Sequence, residues 1–243
     1  MTHYSLRSLL SATALTLCIP GLLSAADYRV VQEVTTPGGK EELTISMSGQ
    51  KVRMDTGEQM SIIFDPEAGN MTQVVHTEKM YMVLPKEMLT AMQAMQPKPD
   101  EKAPEPELKK TGKSEEINGF QTEEYTSTFK DPTQGEITVN YWLATNKNPG
   151  LDFMKQLTAT QKALGFGEMS GPGEISPDKL PGFPVRVITK LENGEEVTMT
   201  VKSISTDKLD PTLLAVPSDY KKMEQPGMPP GGGAPPAETP ATE

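Results

Sequence analysis

The feature that most constrains the fold is a period-two alternation of apolar residues, carried in short runs from position 43 onward. In "ELTISMS", Leu43, Ile45 and Met47 fall on one side and Thr44, Ser46 and Ser48 on the other. "KVRMD" sets Val52 and Met54 against Lys51, Arg53 and Asp55, and "MSIIFD", "MTQVVH" and "KMYMVL" follow. Side chains alternate across a strand, so each run reads as a half-buried strand. Only a few residues of turn chemistry separate the runs. That is too short for a crossover helix, so neighbours must be hairpins. The stretch 27–85 therefore predicts a block of six strands in an antiparallel meander with one apolar face.

Two turns in the chain share a pattern, "DPEAG" at Asp65–Gly69 and "DPTQG" at Asp131–Gly135. Asp holds such a turn through its carboxylate, Pro presets φ, and Gly takes the left-handed position. A calcium loop built from Asp65, Glu67 and Asn70 has too few spaced oxygens. Pro85 reads as the first residue of a helix reaching Gln96, followed by a charged, proline-rich linker at 97–107. A second strand region turns at Asn118-Gly119 and continues through "GEITVNYWLA". Asn148-Pro149 caps a helix that puts Phe153, Leu157 and Leu164 near one face and stops at Gly165. "LPGFPVRVITKL" and "EEVTMTVKSIS", joined by Asn193-Gly194, make a last hairpin. The pattern predicts a mainly β chain with α (α+β), one twisted antiparallel sheet with helices on its apolar face. Two small α+β domains are the alternative.

The ends carry no core. Arg7, the apolar run Leu9–Leu23 and the small residues Ser24 and Ala26 compose a signal peptide over 1–26, cut after Ala26. Residues 27–223 are then the folded domain of a periplasmic or secreted protein. Residues 224–243 are a Pro/Gly-rich tail expected to be disordered. The single cysteine, Cys18, lies in the leader and lacks a lipobox, so disulfides, thiolate metal sites and a cysteine nucleophile are not expected. The chain carries −10, and loss of Arg7 with the leader makes it −11, which opposes nucleic acid and anionic lipid surfaces.

No catalytic, metal or cofactor constellation is legible. His76, the one histidine outside the leader, has no nucleophile elbow and reads as a surface or structural residue. The pairs Glu115-Glu116, Glu123-Glu124 and Glu195-Glu196 read as solvated edges. Methionine is the anomaly: 15, against six Phe, six Tyr and one Trp. Met47, Met54, Met71, Met80 and Met82 fall on the apolar strand faces, and Met88, Met92 and Met95 stripe one face of the first helix. Met fills irregular core gaps, but it also lines deformable ligand grooves, and thioethers suit soft metals such as Cu(I) or Ag(I).

At "TGKSEEINGFQTEEY", "GFPVRV" (Gly182–Val187) and "DPTLLAVPSDYKKM" (Asp210–Met223), the chain resembles a family of secreted bacterial domains of unknown function. That family is similar to the lipoprotein-carrier (LolA/LolB-like) superfamily. The resemblance covers roughly Asp27 to Met223. It implies an open half-barrel whose concave face is plugged by helices and, in the carriers, holds acyl chains. The expectation is a non-enzymatic protein binding an acyl chain, lipid or hydrophobic protein segment in a groove lined by those eight methionines. No stable membrane insertion is expected. The rivals are an envelope interaction or stress-sensing module with a packed core, and Met-based Cu(I)/Ag(I) binding.

Overall fold

Alternation in the first third of the chain becomes six strands paired in sequence order. They are β1 (Tyr28–Thr36), β2 (Gly39–Ser48), β3 (Lys51–Thr56), β4 (Met60–Asp65), β5 (Asn70–Val75) and β6 (Met80–Pro85), each antiparallel to the next. Then come α1 (Lys86–Ala94), β7 (Lys109–Ile117), β8 (Phe120–Asp131), β9 (Gly135–Ala144), α2 (Pro149–Ala163), β10 (Phe183–Lys190), β11 (Glu196–Ser205) and the two-residue β12 (Lys221–Lys222). The computed structural model describes residues 26–94, 106–131, 134–146, 148–164, 175 and 177–223, less the side chains of Met92, Gln93 and Asp178. Positions 1–25, Met95, Gln96, most of the linker, Gly165 and the tail 224–243 lie outside the described residues.

Among the described residues all twelve strands form one sheet in the order β12-β6-β5-β4-β3-β2-β1-β11-β10-β9-β8-β7. The two halves join where β1 pairs with β11, from Arg29 opposite Ser205 to Thr35 opposite Thr198. The end strands do not pair with each other, so the sheet is open and not closed into a barrel. No described helix is long and apolar enough to cross a membrane.

Local chemistry fixes the turns. Asn118 and Gly119 take φ of 49° and 83°, the doubly positive turn that favours Asn-Gly. Asp65 accepts from the Ala68 amide at 3.0 Å and Asp131 from the Gln134 amide at 2.9 Å. Asn148 caps α2 by accepting from the Gly150 amide at 3.0 Å. Pro85 corrects the sequence reading. It is the last residue of β6, opposite Asn70, and α1 begins at Lys86. The carbonyls of Lys79 and Tyr81 accept bonds from the β12 segment, so odd-numbered residues of β6 turn their backbone groups to the outer side. Pro85 shares that parity and its missing N–H costs the β5–β6 ladder nothing.

The second correction concerns the apolar face. There are two cores, one on each side of the sheet. α2 packs Phe153, Leu157 and Leu164 against Tyr28, Met47, Val52, Phe64, Trp142, Phe183 and Val185. The alternate residues of β9, Ile137, Val139, Tyr141 and Leu143, belong to a second cluster with Ile175, Leu180 and Val187. Thus β9 feeds both cores, one per face.

The start of α2 is seated on Phe183. A β-carbon at Gly150 would lie 2.4 Å from that ring. Gly150→Ala should therefore destabilise the protein by about 1–3 kcal/mol, despite alanine's better helix propensity. Urea unfolding checks this, and a midpoint at or above wild type would show that the ring yields freely.

Candidate functional site

Register turns the strand methionines into a surface. Three rows cross β1 to β6 on the face that carries α2. The first runs Tyr28, Met47, Val52, Phe64, Met71, Leu84. The second runs Val30, Ile45, Met54, Ile62, Gln73, Met82, and the third Gln32, Leu43, Thr56, Met60, Val75, Met80. Met47 is fully buried in the core that α2 covers, while Met54, Met60, Met71, Met80 and Met82 are partly buried. The Thr160 hydroxyl donates to the Gln50 carbonyl at 3.1 Å and holds α2 over the β2–β3 turn. Lys86 of α1 donates to the Ala163 carbonyl at 3.0 Å, which ties the start of α1 to the end of α2. Met88 is partly buried on α1, whereas the Met92 side chain and Met95 lie outside the described residues. A hollow of about 290 Å³ opens beside α2, lined by Leu151, Met154, Lys155, Thr158, Pro177 and Leu180. Among the described residues, none of the predicted methionines lines it.

The opposite face holds a polar cluster that the sequence reading left in solvent. Arg53 and Asp55 alternate with Val52 and Met54, so they project away from α2. Arg53 donates through Nε to Asp55 at 2.7 Å and through its terminal nitrogens to the Leu213 carbonyl and Ser61 Oγ, both at 2.9 Å. Ser61 also bonds Asp55 Oδ1. His76, expected as a surface or structural residue, has Nε2 2.6 Å from Ser61 Oγ and Nδ1 2.8 Å from the Tyr220 hydroxyl. Burial pushes the His76 pKa down and the Arg53 charge pushes it further, while Asp55 pulls the other way.

Serine, histidine and aspartate within bonding distance invite a catalytic reading, and the geometry opposes it. In a triad the acid orients the imidazole and the imidazole accepts from the serine. Here Asp55 bonds the serine, and Ser61 is 1 % exposed. The serine hydroxyl has one hydrogen, which goes to Asp55. Nε2–H of neutral His76 then donates to Ser61 Oγ, and Nδ1 accepts from Tyr220. Both ring nitrogens of His76 are engaged, and neither is left to take a proton from a nucleophile. Among the described residues no group of three or more His, Cys, Asp or Glu could hold a metal ion. Asp65, the first residue of the calcium loop considered above, is instead paired with Lys51 at 2.7 Å.

The acidic pairs need one correction. Glu124 is 3 % exposed, not solvated. Gly112 sits at φ 86° where the β7–β8 register shifts, bringing Thr111 (2.7 Å) and Lys113 (2.9 Å) onto its carboxylate. Burial raises the pKa of Glu124, but the Thr111 hydroxyl and Lys113 outweigh it and hold the group below its ordinary value.

The sequence profile of the family described as "Domain of unknown function (DUF4412)" matches residues 29–220. The chain belongs to the DUF4412 family. The match takes in every side chain of the polar cluster and the five predicted strand methionines, and ends at Tyr220. No curated protein matches. Similar solved structures include PNGF-II, at 12% identity and TM-score 0.38 over 82% of this chain and 31% of that one. A MucA/MucB complex of Pseudomonas aeruginosa gives 12% identity and TM-score 0.39 over 85% of this chain and 62% of that one. An outer membrane lipoprotein-sorting protein domain from Vibrio parahaemolyticus gives 9% and 0.24 over 79% and 90%. The DUF4412 chain thus spans less than two thirds of the first two. At these TM-scores the likenesses bear on neither fold nor function.

Proposed function

We propose that this protein is a non-enzymatic, exported binding protein of the bacterial envelope. Its α2-side sheet face takes an apolar ligand, an acyl chain or lipid or a hydrophobic protein segment, in a methionine-rich groove. The observation that carries the reading is the set of partly buried thioethers on that face, Met54, Met60, Met80 and Met82. A soluble protein gains nothing from a half-wet apolar shelf, and such shelves mark binding surfaces. Unbranched thioethers repack around ligands of differing shape. Met47 and Met71 form the floor of this groove with Met88 of α1 beside them, and Met92 and Met95 complete the proposed ligand-binding set. In this reading the sheet is the inner wall of a half-barrel, and the leader 1–26 delivers residues 27–223 to the periplasm or beyond. The soft-metal alternative is weakened by spacing. Three strand steps separate Met54 from Met82, about 14 Å, too far for a shared ion.

A fluorescent fatty-acid probe tests the proposal. Met54→Gln, Met80→Gln and Met82→Gln together should weaken probe binding tenfold or more, about 1.4 kcal/mol, a modest demand on three thioethers. Stability should fall little, because these side chains are already partly wet. A wild type that binds no probe would sink the reading, as would a triple variant that binds like wild type. A rise in melting temperature with Cu(I), lost in the variant, would favour the metal alternative.

A further inference from the structure

We infer that residues 206–223 form a releasable strap, held shut by a latch of side chains around His76, which opens when that imidazole takes up a proton. The inference does not depend on the ligand reading above. The strap leaves the sheet after β11, crosses the face opposite α2, and ends as the parallel strand β12 against β6. Its backbone hold on the sheet edge is slight: Lys221 donates to the Lys79 carbonyl at 2.9 Å and Met223 to the Tyr81 carbonyl at 2.7 Å. A two-residue strand cannot hold itself in place. Further grip comes from buried Leu214, from Arg53 on the Leu213 carbonyl, from Tyr220 on His76, from the Leu209 amide on Asp27 at 2.8 Å and from the exposed Lys79–Asp219 pair. The Tyr220 ring also meets the imidazole edge-on, with centroids 5.6 Å apart.

This latch favours the neutral imidazole. In that state Nδ1 accepts from Tyr220 and Nε2–H donates to Ser61. Protonation puts a hydrogen on Nδ1, and Tyr220 must then reverse from donor to acceptor. It also puts a positive charge 3.4 Å from an Arg53 nitrogen. The charged and titratable groups around it are Arg53 and Asp55 from β3, Tyr81 from β6, Tyr220 from the strap, and the exposed pair of Lys79 and Asp219 at 2.8 Å. Among the described residues Asp55 is the countercharge facing the ring, and it already takes the Arg53 Nε–H and the Ser61 hydroxyl. The sign follows from linkage. A histidine held below its ordinary 6.5 in the closed state is bound by more protons in the open one. Closure is therefore fully supported above the ordinary value and weakens as pH falls through the lowered one. Opening unpairs the outer edge of β6, Lys79 to Val83, which is a template for strand addition.

Hydrogen exchange on the full chain tests this. From about pH 7.5 to about pH 5, protection of the Lys221 and Met223 amides should fall at least tenfold, after correction for intrinsic rates, while amides of β1 and β2 hold. His76→Gln should remove the pH dependence. Tyr220→Phe, which lies off the main sheet and leaves its packing intact, should open the strap at neutral pH. The inference is overturned if strap and sheet amides lose protection together, or if His76→Gln keeps the wild-type pH dependence. Should His76→Gln fail to fold, Tyr220→Phe decides: unchanged strap protection at neutral pH overturns the latch.

Discussion

Phe183→Ala should destabilise the protein by about 3–5 kcal/mol, the largest effect expected of any single truncation here. The ring is 2 % exposed and stands where three elements meet. It opens β10 opposite Ala144 of β9, lies 6.3 Å from the Phe120 ring of β8, and touches Gly150 in the first turn of α2. The neighbours cannot collapse into the gap. Gly150 has no side chain to offer, and Gly182 on the other side is pressed against the Ala144 carbonyl, where a β-carbon would come within 2.6 Å. The cavity therefore stays, and its cost adds to the lost transfer energy. Urea unfolding measures the loss. The same variant should loosen α2 before the sheet, because the ring bears directly on the first turn of that helix. Exchange of α2 amides rising ahead of β2 amides would show it, and a loss below about 1 kcal/mol would mean the ring is not the seat of the helix.

What the sequence made legible was local. The Asp-Pro turns, Asn118-Gly119 and the Asn148 cap each rest on chemistry within five residues, and each stands in the structure. The period-two runs likewise put Met47, Met54, Met71, Met80 and Met82 on one face, because alternation is a property of the strand itself. What alternation cannot say is what lies on the other face. Arg53 and Asp55 read as the solvent side of β3, and that would hold if the chain ended at β11. It continues, and the strap returns more than a hundred residues later to bury Ser61. "SDYKKM" has no apolar period and makes a strand of two residues, so nothing in it marks a sheet edge. Glu124 failed for a related reason: its partners are set by a bulge at Gly112 in the next strand, which the glycine alone does not announce. Pro85 failed because proline suits both a helix start and an edge strand, and only the pairing with β5 distinguishes them. The second core on β9 needed the segment around Ile175 and Leu180, which reads as plain loop.

Arg53→Met should cost about 2–4 kcal/mol, well above its apparent status as a polar residue on an outer strand. The side chain is 12% exposed and Asp55 21%, so solvent screens the pair only in part. The guanidinium spans three groups at once, on β3, β4 and the strap. Removing it leaves the Asp55 carboxylate with Ser61 alone and the Leu213 carbonyl without its donor. Methionine matches the length and keeps the apolar stem, so the loss reports the polar head. Arg53→Lys separates charge from shape. An ammonium keeps the pairing with Asp55, but one nitrogen cannot fork to Leu213 and Ser61 as well, so roughly half the stability should return. The unfolding midpoint in urea gives both numbers. A Met variant within about 0.5 kcal/mol of wild type, the range of ordinary surface substitutions, would mean that the guanidinium adds nothing to the hold on the strap. A Lys variant equal to wild type would mean that Arg53 acts only as a charge. The intermediate result is the one that three simultaneous hydrogen bonds require.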